Sequence, residues 1–509
     1  MHRLLILLVT AALVGVSPVT AAAAAAGGAA GVPLLDAARR ADAPAVRALI
    51  RQRADVNAAA VDGTTALHWA ARNDDRSTLT ALLGARARVN AANRYGVTPL
   101  ALAVMNGSVA TVRLLLGAGA DVNAATPEGE TVLMTAARAG SAEVVKALLA
   151  QGARVDARER WQEQTALMWA AAENHGAVVT ALVEAGADTN ARSKPLDGMR
   201  PLRKTAPDVG QQGIHSTFPK GGLTPLHFAA RQNAPEAVTA LAEAGVDLNQ
   251  PDPDGFTPAI FAILNGHYDL AALLIDKGAG VNTTDGAGRT PLYAAVDMNT
   301  FEYSFNRPNP KPTGRMSAVD LVTFLLARGA NPDARLKDRV VPAKYDTAGN
   351  PNLIAGATPL MKAVSTADAT LTRILLAAGA DPFIRNGVHS SVLLVAAGLN
   401  WRRLGSIGAE GDAIDTIRLL LDRGVDIHAY NDAGQTVLHA VAMRGRGGQE
   451  DGPNTVESLD LIRFLVSRGA RLDVRDKAGR TPLDMARFTR NVRAETLFTE
   501  LTGAARASR

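Results

Sequence analysis

A short motif that recurs about every 33 residues constrains this sequence more than any other feature. Each copy opens with threonine or serine, continues with proline, alanine or valine, and in most cases has leucine third. The copies begin at Thr65, Thr98, Thr131, Thr165, Thr224, Thr257, Thr290, Thr358, Ser391, Thr436 and Thr481. A unit of this size is too small to bury its apolar side chains alone, so it must stack against copies of itself. The sequence therefore predicts one extended core that grows by adding units, which overrides the length-based expectation of about three or four globular domains.

The unit that begins at Thr98 shows how the motif works. Thr98 is a good helix N-cap, and Pro99 suits the first helical position because the nitrogen there has no helical partner. The apolar spacing predicts a first helix over 99–105 and a second helix over 109–116, with a break at Asn106. The side chains predicted to face the core are Leu100, Ala103 and Val104 in the first helix and Val112, Leu115 and Leu116 in the second.

The period and the motif resemble those of the ankyrin-repeat family. The copy at Thr224-Pro225-Leu226-His227 carries the family's opening residues in full, and Leu114–Asn123 carries the pattern of the second half of a unit. The resemblance covers Val32 to Leu501. It implies an all-α repeat solenoid of about twelve helix-turn-helix units joined by β-hairpin-like turns, with several long loop insertions. The first and last units are atypical, as terminal units with a single neighbour must be.

The long intervals between copies predict where the insertions lie. Two insertions interrupt the turn between units, and three separate the two helices of one unit. The predicted segments are a signal peptide at 1–26, a flexible leader at 27–31, a cap plus four repeats at 32–190, a basic insertion at 191–222, repeats at 223–334 with an insertion at 299–317, an insertion at 335–356, repeats and a cap at 357–501 with insertions at 401–412 and 444–456, and a tail at 502–509.

The N-terminus resembles an export signal. Arg3 supplies a positive start, Leu4–Val16 is an apolar run, and Ala21–Ala26 offers small residues for cleavage. This pattern predicts a Sec-type signal peptide and a periplasmic or secreted, bacterial-type protein with no transmembrane segment after cleavage. A retained membrane anchor is the alternative, but the apolar run is too short to span about 30 Å of hydrocarbon. The lack of cysteine fits an exported fold that needs no disulfides.

Charge gives little support for nucleic-acid binding. The chain has 54 basic and 49 acidic side chains, a net charge of +5 over 509 residues, so a nucleic-acid partner is not expected. The insertion at 191–222 is the exception, since its sequence is basic and includes Arg200, Arg203 and Lys204. We expect this segment to fold back across neighbouring turns with these three residues as a basic rim. Binding of a polyanion or an anionic surface through the basic insertions is therefore an alternative function.

No motif for catalysis, cofactor binding or metal binding emerges. The sequence lacks a G-x-S-x-G motif, a P-loop and any cysteine nucleophile. His68, His227 and His439 occupy the motif, where the resemblance implies a structural role, and no histidine pair has metal-site spacing. The predicted protein is not an enzyme and needs no cofactor. An enzyme or enzyme regulator with a site built from the insertions, for example around His215 and Lys204, is the second alternative.

The resemblance implies binding of a protein partner through the concave face of the solenoid. Tyr95 and Trp161 are also candidates for partner binding because of their side chains: large rigid aromatics in turns make good binding anchors. The predicted partner-binding residues are Arg72, Asn73, Arg94, Tyr95, Met105, Asn106, Glu128, Arg138, Trp161, Glu173, Asn174, Arg231, Gln232 and Asn265. The predicted function is non-catalytic protein binding or scaffolding by a monomer, in which rigid repeats hold scattered side chains in place.

Overall fold

The described part of the chain is helical throughout. The computed structural model describes residues 33–195, 221–253, 255–299, 312–337, 355–398, 410–443 and 459–507. These residues form helices joined by turns, and the β pairing among them is limited to two isolated bridges. The chain divides into two compact units, Met1–Thr126 and Pro127–Arg509. Each unit is an all-α repeat solenoid, as the 33-residue period predicts.

The first unit holds three helix pairs in its described residues. Odd numbers denote the first helix of a pair and even numbers the second. The helices are α1 (Pro33–Arg39), α2 (Ala43–Arg51), α3 (Ala66–Arg72), α4 (Arg76–Gly84), α5 (Pro99–Met105) and α6 (Val109–Gly117).

The second unit holds nine more pairs in its described residues, so the predicted number of about twelve repeats is confirmed. They are α7 (Val132–Ala139), α8 (Ala142–Ala150), α9 (Ala166–Ala172), α10 (Gly176–Glu184), α11 (Pro225–Gln232), α12 (Pro235–Glu243), α13 (Pro258–Leu264), α14 (Tyr268–Asp276), α15 (Pro291–Asn299), α16 (Ala318–Ala327), α17 (Pro359–Val364), α18 (Ala369–Ala377), α19 (Val392–Ala396), α20 (Glu410–Leu421), α21 (Val437–Ala442), α22 (Leu459–Ser467), α23 (Pro482–Phe488) and α24 (Val492–Ala507). No helix in the described ranges combines the length and apolar character needed to cross a membrane.

The helix starts follow from side-chain capping. The hydroxyl of Thr98 accepts a hydrogen bond from the backbone N–H of Ala101 at 3.2 Å, and Pro99 occupies the first helical position. Second helices begin after serine or aspartate in many repeats. In one of these, a carboxylate oxygen of Asp75 accepts from the backbone N–H of Thr78 at 3.0 Å. The motif, and in many repeats the serine or aspartate before the second helix, thus act as start signals that need no distant partner.

First helices are buried on more sides than second helices. In α7 every residue from Val132 to Ala137 is buried, whereas α8 buries only one stripe, which includes Val144 and Leu148. The reason is position: α9, for example, contacts the first helices on both sides, α7 and α11, as well as its own second helix α10. Small residues at the centre of the first helices allow these close contacts. The core therefore runs along the first helices.

The turns between repeats share one hydrogen-bonding pattern. In the turn before α5, the backbone N–H of Asn93 donates to the carbonyl of Val97 at 3.0 Å. The side-chain oxygen of Asn93 accepts from the backbone N–H groups of Tyr95 and Val97, each at 3.0 Å. Similar capping by aspartate or asparagine occurs at Asp252, Asp285, Asn386, Asn431 and Asp476. Each turn is thus a compact hairpin held by one polar side chain.

Two predicted insertions are shorter than expected because their ends belong to these hairpins. The backbone N–H of Ser193 donates to the carbonyl of Leu223 at 3.0 Å, which is the closing bond of an ordinary turn. Leu336 and Ala357 make the same bond at 2.9 Å. The predicted boundaries 191–222 and 335–356 therefore include residues that are part of the repeats. The remaining residues of these two insertions, 196–220 and 338–354, lie outside the described residues.

Three further details differ from the sequence predictions. Helix α20 begins at Glu410, inside the predicted insertion 401–412, and α24 continues to Ala507 through most of the predicted tail 502–509. In α6 the predicted core residue Leu116 is only half-buried, and Thr111 is buried with Val112 and Leu115 instead. Positions 111, 112 and 115 lie on one face of the helix, and position 116 lies at the edge of that face.

The histidine of the motif ties neighbouring repeats together. In α11, Nδ1 of His227 lies 2.8 Å from the hydroxyl of Thr224, and Nε2 lies 3.0 Å from the carbonyl of Phe256 in the next repeat. His68 and His439 make the same two contacts in their repeats. The structural role predicted for these three histidines is confirmed.

Acidification is expected to destabilise the second unit through His227. Burial lowers the pKa of His227 from the ordinary value of 6.5 to about 4. Because the folded-state pKa lies below the unfolded one, protons bind the unfolded chain more tightly. The contribution of neutral His227 is complete above pH 6.5 and is lost as the pH falls towards 4, with about 2 kcal/mol lost by pH 5. Urea unfolding of wild type and His227→Gln between pH 7 and 5 measures this loss, and equal pH slopes would contradict it.

Candidate functional site

The predicted partner-binding residues of the first unit lie on a hairpin turn and at the ends of first helices. Arg94 and Tyr95 lie in the turn before α5, where Tyr95 is 53% exposed and the Arg94 guanidinium lies 5.6 Å from the centre of its ring. Met105 ends α5 and is also exposed. Arg72 ends α3 and lies over the ring of Trp69 at 5.5 Å. These side chains give the first unit a mixed aromatic and cationic surface.

The four predicted asparagines use their side-chain amides within the fold. Asn73 donates to the main-chain carbonyl of Ala38 at 3.1 Å, and Asn106 donates to carbonyls of the preceding repeat, the shorter bond being 2.6 Å. Asn174 accepts from the backbone N–H groups at the start of α12, the shorter bond being 2.8 Å. Asn265 donates to a carbonyl of its own helix at 2.7 Å. Because these amides already bond to the main chain of the fold, the binding surface proposed below does not include them.

In the second unit, arginines at the ends of first helices lie over aromatic rings. The guanidinium of Arg138 lies 4.7 Å from the centre of the Trp169 ring in the next repeat and donates to Glu130 at 2.9 Å. Arg231 lies 4.9 Å from the ring of Phe228 in its own helix. Both arginines are half-buried, so their side chains are held in place before any partner arrives.

The remaining predicted residues of the second unit are exposed. Glu128 lies in the turn before α7, and Glu173 and Gln232 lie at the ends of α9 and α11. Gln232 is uncharged, and neither glutamate takes part in an ion pair within the described ranges. With the arginines, these glutamates place both signs of charge among the predicted partner-binding residues, whose role in binding stays a prediction.

The turn that carries Trp161 is one residue longer than the standard turn and is held by a buried glutamate. The carboxylate of Glu159 accepts hydrogen bonds from the backbone N–H groups of Trp161, Gln162 and Gln164, at 2.6, 2.8 and 2.9 Å. Glutamate replaces the usual aspartate or asparagine, and its extra methylene group lets it reach across the longer turn. The Trp161 side chain is 62% exposed at the tip. The result is a large aromatic side chain on a rigid turn.

Arginines that precede the turns connect neighbouring hairpins in the second unit. Each donates to the main-chain carbonyl of the equivalent residue in the next repeat. The donor and acceptor pairs are Arg158 with Arg192, Arg192 with Pro251, Arg335 with Arg385, and Arg385 with Tyr430, at 2.6, 2.9, 2.9 and 3.2 Å. The sequence analysis missed this row, although arginine recurs at the position before the turn in these repeats. The row fixes neighbouring turns relative to one another, including across the basic insertion.

Family models for ankyrin repeats match most of this chain. The model described as ankyrin repeats in three copies matches residues 34–126, 120–193, 208–285 and 226–304, and spans more than half of the chain. The chain is an ankyrin-repeat protein. Further ankyrin models match residues 355–387 and 408–449 of this ankyrin-repeat protein. A search of curated proteins found none that matches the sequence. Ankyrin repeats generally mediate protein–protein interaction and are typically non-enzymatic.

Several exposed apolar residues of this ankyrin-repeat protein escaped the sequence analysis. In the second unit, Tyr430 is 64% exposed just before a hairpin turn, and Phe383 and Val388 are exposed in the preceding repeat. In the first unit Val61 is exposed in a turn. The rule that selected Tyr95 and Trp161, an aromatic residue near a turn, would also have selected Tyr430.

A buried charged network lies between α15 and α17. Arg289 and Asp285, both 3% exposed, form an ion pair at 2.9 Å, and Lys362 pairs with Asp297 at 3.0 Å. A nitrogen of Arg289 lies 3.7 Å from Asp297, which joins the two pairs. Tyr293 takes the histidine position of the motif, and burial, aided by the negative charge of Asp297, raises its pKa well above the ordinary value. Two cations balance two anions here, so the buried charges compensate one another within the fold.

Several sequence predictions lie outside the described residues. They include the basic rim of Arg200, Arg203 and Lys204, the alternative catalytic residue His215, and the signal peptide. Within the described ranges, no group of three or more histidine, aspartate or glutamate side chains is arranged to hold a metal ion.

Proposed function

We propose that this ankyrin-repeat protein binds another protein through the concave face that the hairpin turns and first helices form in each unit, and that it has no catalytic activity. The rigid and exposed Trp161 turn carries this proposal. Its backbone is fixed by the buried Glu159 carboxylate, and the aromatic side chain is 62% exposed at the tip of the turn. Aromatic and arginine side chains dominate the energetics of protein interfaces.

Preorganisation is the proposed mechanism of binding. The guanidinium groups over aromatic rings, the capped turns and the row of arginines between hairpins are all ordered in the free protein. When a partner docks on them, the side chains and loops of this protein lose little entropy. This saving raises affinity without a larger interface. A scaffolding role requires only such binding and no reaction at the bound partner.

Adding positive charge to the proposed face tests the function. The paired substitution Glu173→Arg with Gln232→Arg changes two exposed residues at the ends of first helices. The matched control, Glu184→Arg with Gln151→Arg, makes the same two changes at exposed residues at the ends of second helices. In affinity capture from cell extract, a protein retained by wild type and by the control should be lost by the first variant. Retention by all three proteins at equal yield would contradict the proposal.

The two alternatives gain no observation from the described residues. Polyanion binding rests on Arg200, Arg203 and Lys204 in the basic insertion. An enzyme or enzyme regulator would need a site built from the insertions. We therefore keep protein binding, by a monomer, as the proposed function.

We also propose that the protein is exported, on the strength of Arg3, the apolar run Leu4–Val16 and the small residues that follow. Cleavage removes the apolar run because signal peptidase recognises the small residues beyond it. N-terminal sequencing of protein from the periplasmic or culture fraction is expected to start between Ala22 and Gly28. Soluble cytoplasmic protein that retains Met1 would contradict export.

A further inference from the structure

Two exposed cations flank Trp161. The backbone N–H of Arg160 donates to the carbonyl of Glu128 at 2.8 Å, and that of Lys194 donates to the carbonyl of Gln162 at 2.7 Å. These bonds fix both residues beside the Trp161 turn. Both side chains are exposed, and neither forms an ion pair within the described part of the chain.

Two further arginines support this arrangement from behind. Arg158 donates to main-chain carbonyls and lies 4.0 Å from the Glu163 carboxylate, and Arg192 donates to the carbonyls of Gly222 and Pro251. Among the described residues, the one carboxylate at ion-pair distance from either arginine is that of Glu163, 4.0 Å from Arg158. We call Arg158, Arg160, Trp161, Arg192 and Lys194 the Trp161 cluster.

The acidic side chains near the cluster leave its outer cations free. Glu159 is buried and directs its carboxylate at three backbone N–H groups of the turn. Glu163 lies beside Arg158, and Glu128 is exposed on the neighbouring turn. Within the described residues, the positive charge without an ion-pair partner therefore belongs to Arg160, next to Trp161 in the chain, and to Lys194 in the neighbouring turn.

We propose that the Trp161 cluster binds an acidic peptide segment of a partner protein. Carboxylates of the segment pair with Arg160 and Lys194, and an apolar side chain of the segment packs on the ring of Trp161. This inference rests on the proposed protein-binding function and names the chemistry of the partner. Charge complementarity of this kind selects the partner and speeds its association.

A short peptide suits the cluster better than a nucleic acid does. Binding to a nucleic acid draws its affinity from neutralising many phosphates along a strand. The cluster offers two unpaired cations, and the whole chain has a net charge of only +5. A single fixed aromatic between two cations matches a segment that alternates acidic and apolar residues.

Fluorescence anisotropy with a labelled probe peptide tests the inference on the full chain. The probe is a twelve-residue peptide that repeats Glu-Glu-Leu, and a Gln-Gln-Leu peptide and a twelve-nucleotide oligothymidine serve as comparison ligands. The acidic peptide should bind wild type at least about tenfold more tightly than either comparison ligand. Trp161→Ala, and Arg160→Gln combined with Lys194→Gln, should each weaken its binding about tenfold, as loss of an interface anchor does.

Control variants separate the cluster from general surface effects. Tyr430→Ala removes another exposed aromatic near a turn, and Lys146→Gln removes an exposed cation of a second helix, so both should bind the acidic peptide like wild type. Equal binding of the acidic and neutral peptides, or unchanged affinity in both cluster variants, would overturn the inference. Tighter binding of oligothymidine through the same residues would also overturn it, in favour of a polyanion site. Failure here, with capture still lost in the Glu173→Arg and Gln232→Arg variant, would leave the proposed function standing.

Discussion

Leu100→Asp is expected to destabilise the first unit by about 4 kcal/mol or more. Leu100 is 1% exposed, and α5 packs against the first helix α3 and the second helix α6. Aspartate at this position would be a buried carboxylate without a partner, in a site shaped for an apolar side chain. Thermal unfolding followed by circular dichroism measures the loss, and hydrogen exchange should locate it in α3–α6, because coupling between repeats is local.

A conservative substitution provides the control for this prediction. Leu100→Met conserves volume and apolar character, so its cost should stay below about 1.5 kcal/mol. If Leu100→Asp melted at the wild-type temperature, the assignment of the core face of α5 would be wrong. The prediction depends only on the burial of this side chain and not on any function of the protein.

Arg289→Met is expected to destabilise the second unit by about 3–5 kcal/mol. The substitution keeps much of the side-chain volume but removes the guanidinium that pairs with Asp285 at 2.9 Å. Asp285 is 3% exposed, so its charge would remain buried without a cation at hydrogen-bond distance. Chemical denaturation of the full chain, with exchange measured at α15 and α17, reports this loss.

A double variant and a surface pair make this test specific. Arg289→Met combined with Asp285→Asn removes both charges, so it should be more stable than Arg289→Met alone. Arg418 pairs with Asp415 on an exposed face of α20, and Arg418→Met should therefore cost less than about 1 kcal/mol. A cost for Arg289→Met no larger than that of Arg418→Met would show that the buried network does not stabilise the fold.

The helices were predictable because their signals are local. The first helix of the unit at Thr98 was predicted over 99–105 and is observed at Pro99–Met105. A capping hydroxyl and a proline define its start, and a break at Asn106 defines its end. Helix α24 was predicted less well, because it continues to Ala507 through Gly503, a residue type that commonly marks the end of a helix.

The uses of particular side chains were less predictable, because they depend on residues one repeat away. Asn73 and Asn106 occupy positions that vary in the family, yet their amides bond to carbonyls more than 30 residues earlier. The 34-residue interval reveals an extra residue in the turn before Thr165, but not that Glu159 caps it. In the same way, arginine recurs before the turns in the sequence, while its acceptor in the next repeat is visible only in the structure.

Site-specific photo-crosslinking tests the central claim, that a protein partner docks on the hairpin and first-helix face. A benzophenone amino acid replaces Gln232 or Glu173 on that face, or Lys146 or Glu184 on second helices as controls. All four positions are exposed, so the fold should tolerate the probe. If a partner docks on this face, we expect adducts with a second protein from Gln232 and Glu173 and none from Lys146 and Glu184. Adducts from the second-helix positions alone, or equal yields from all four positions, would contradict it.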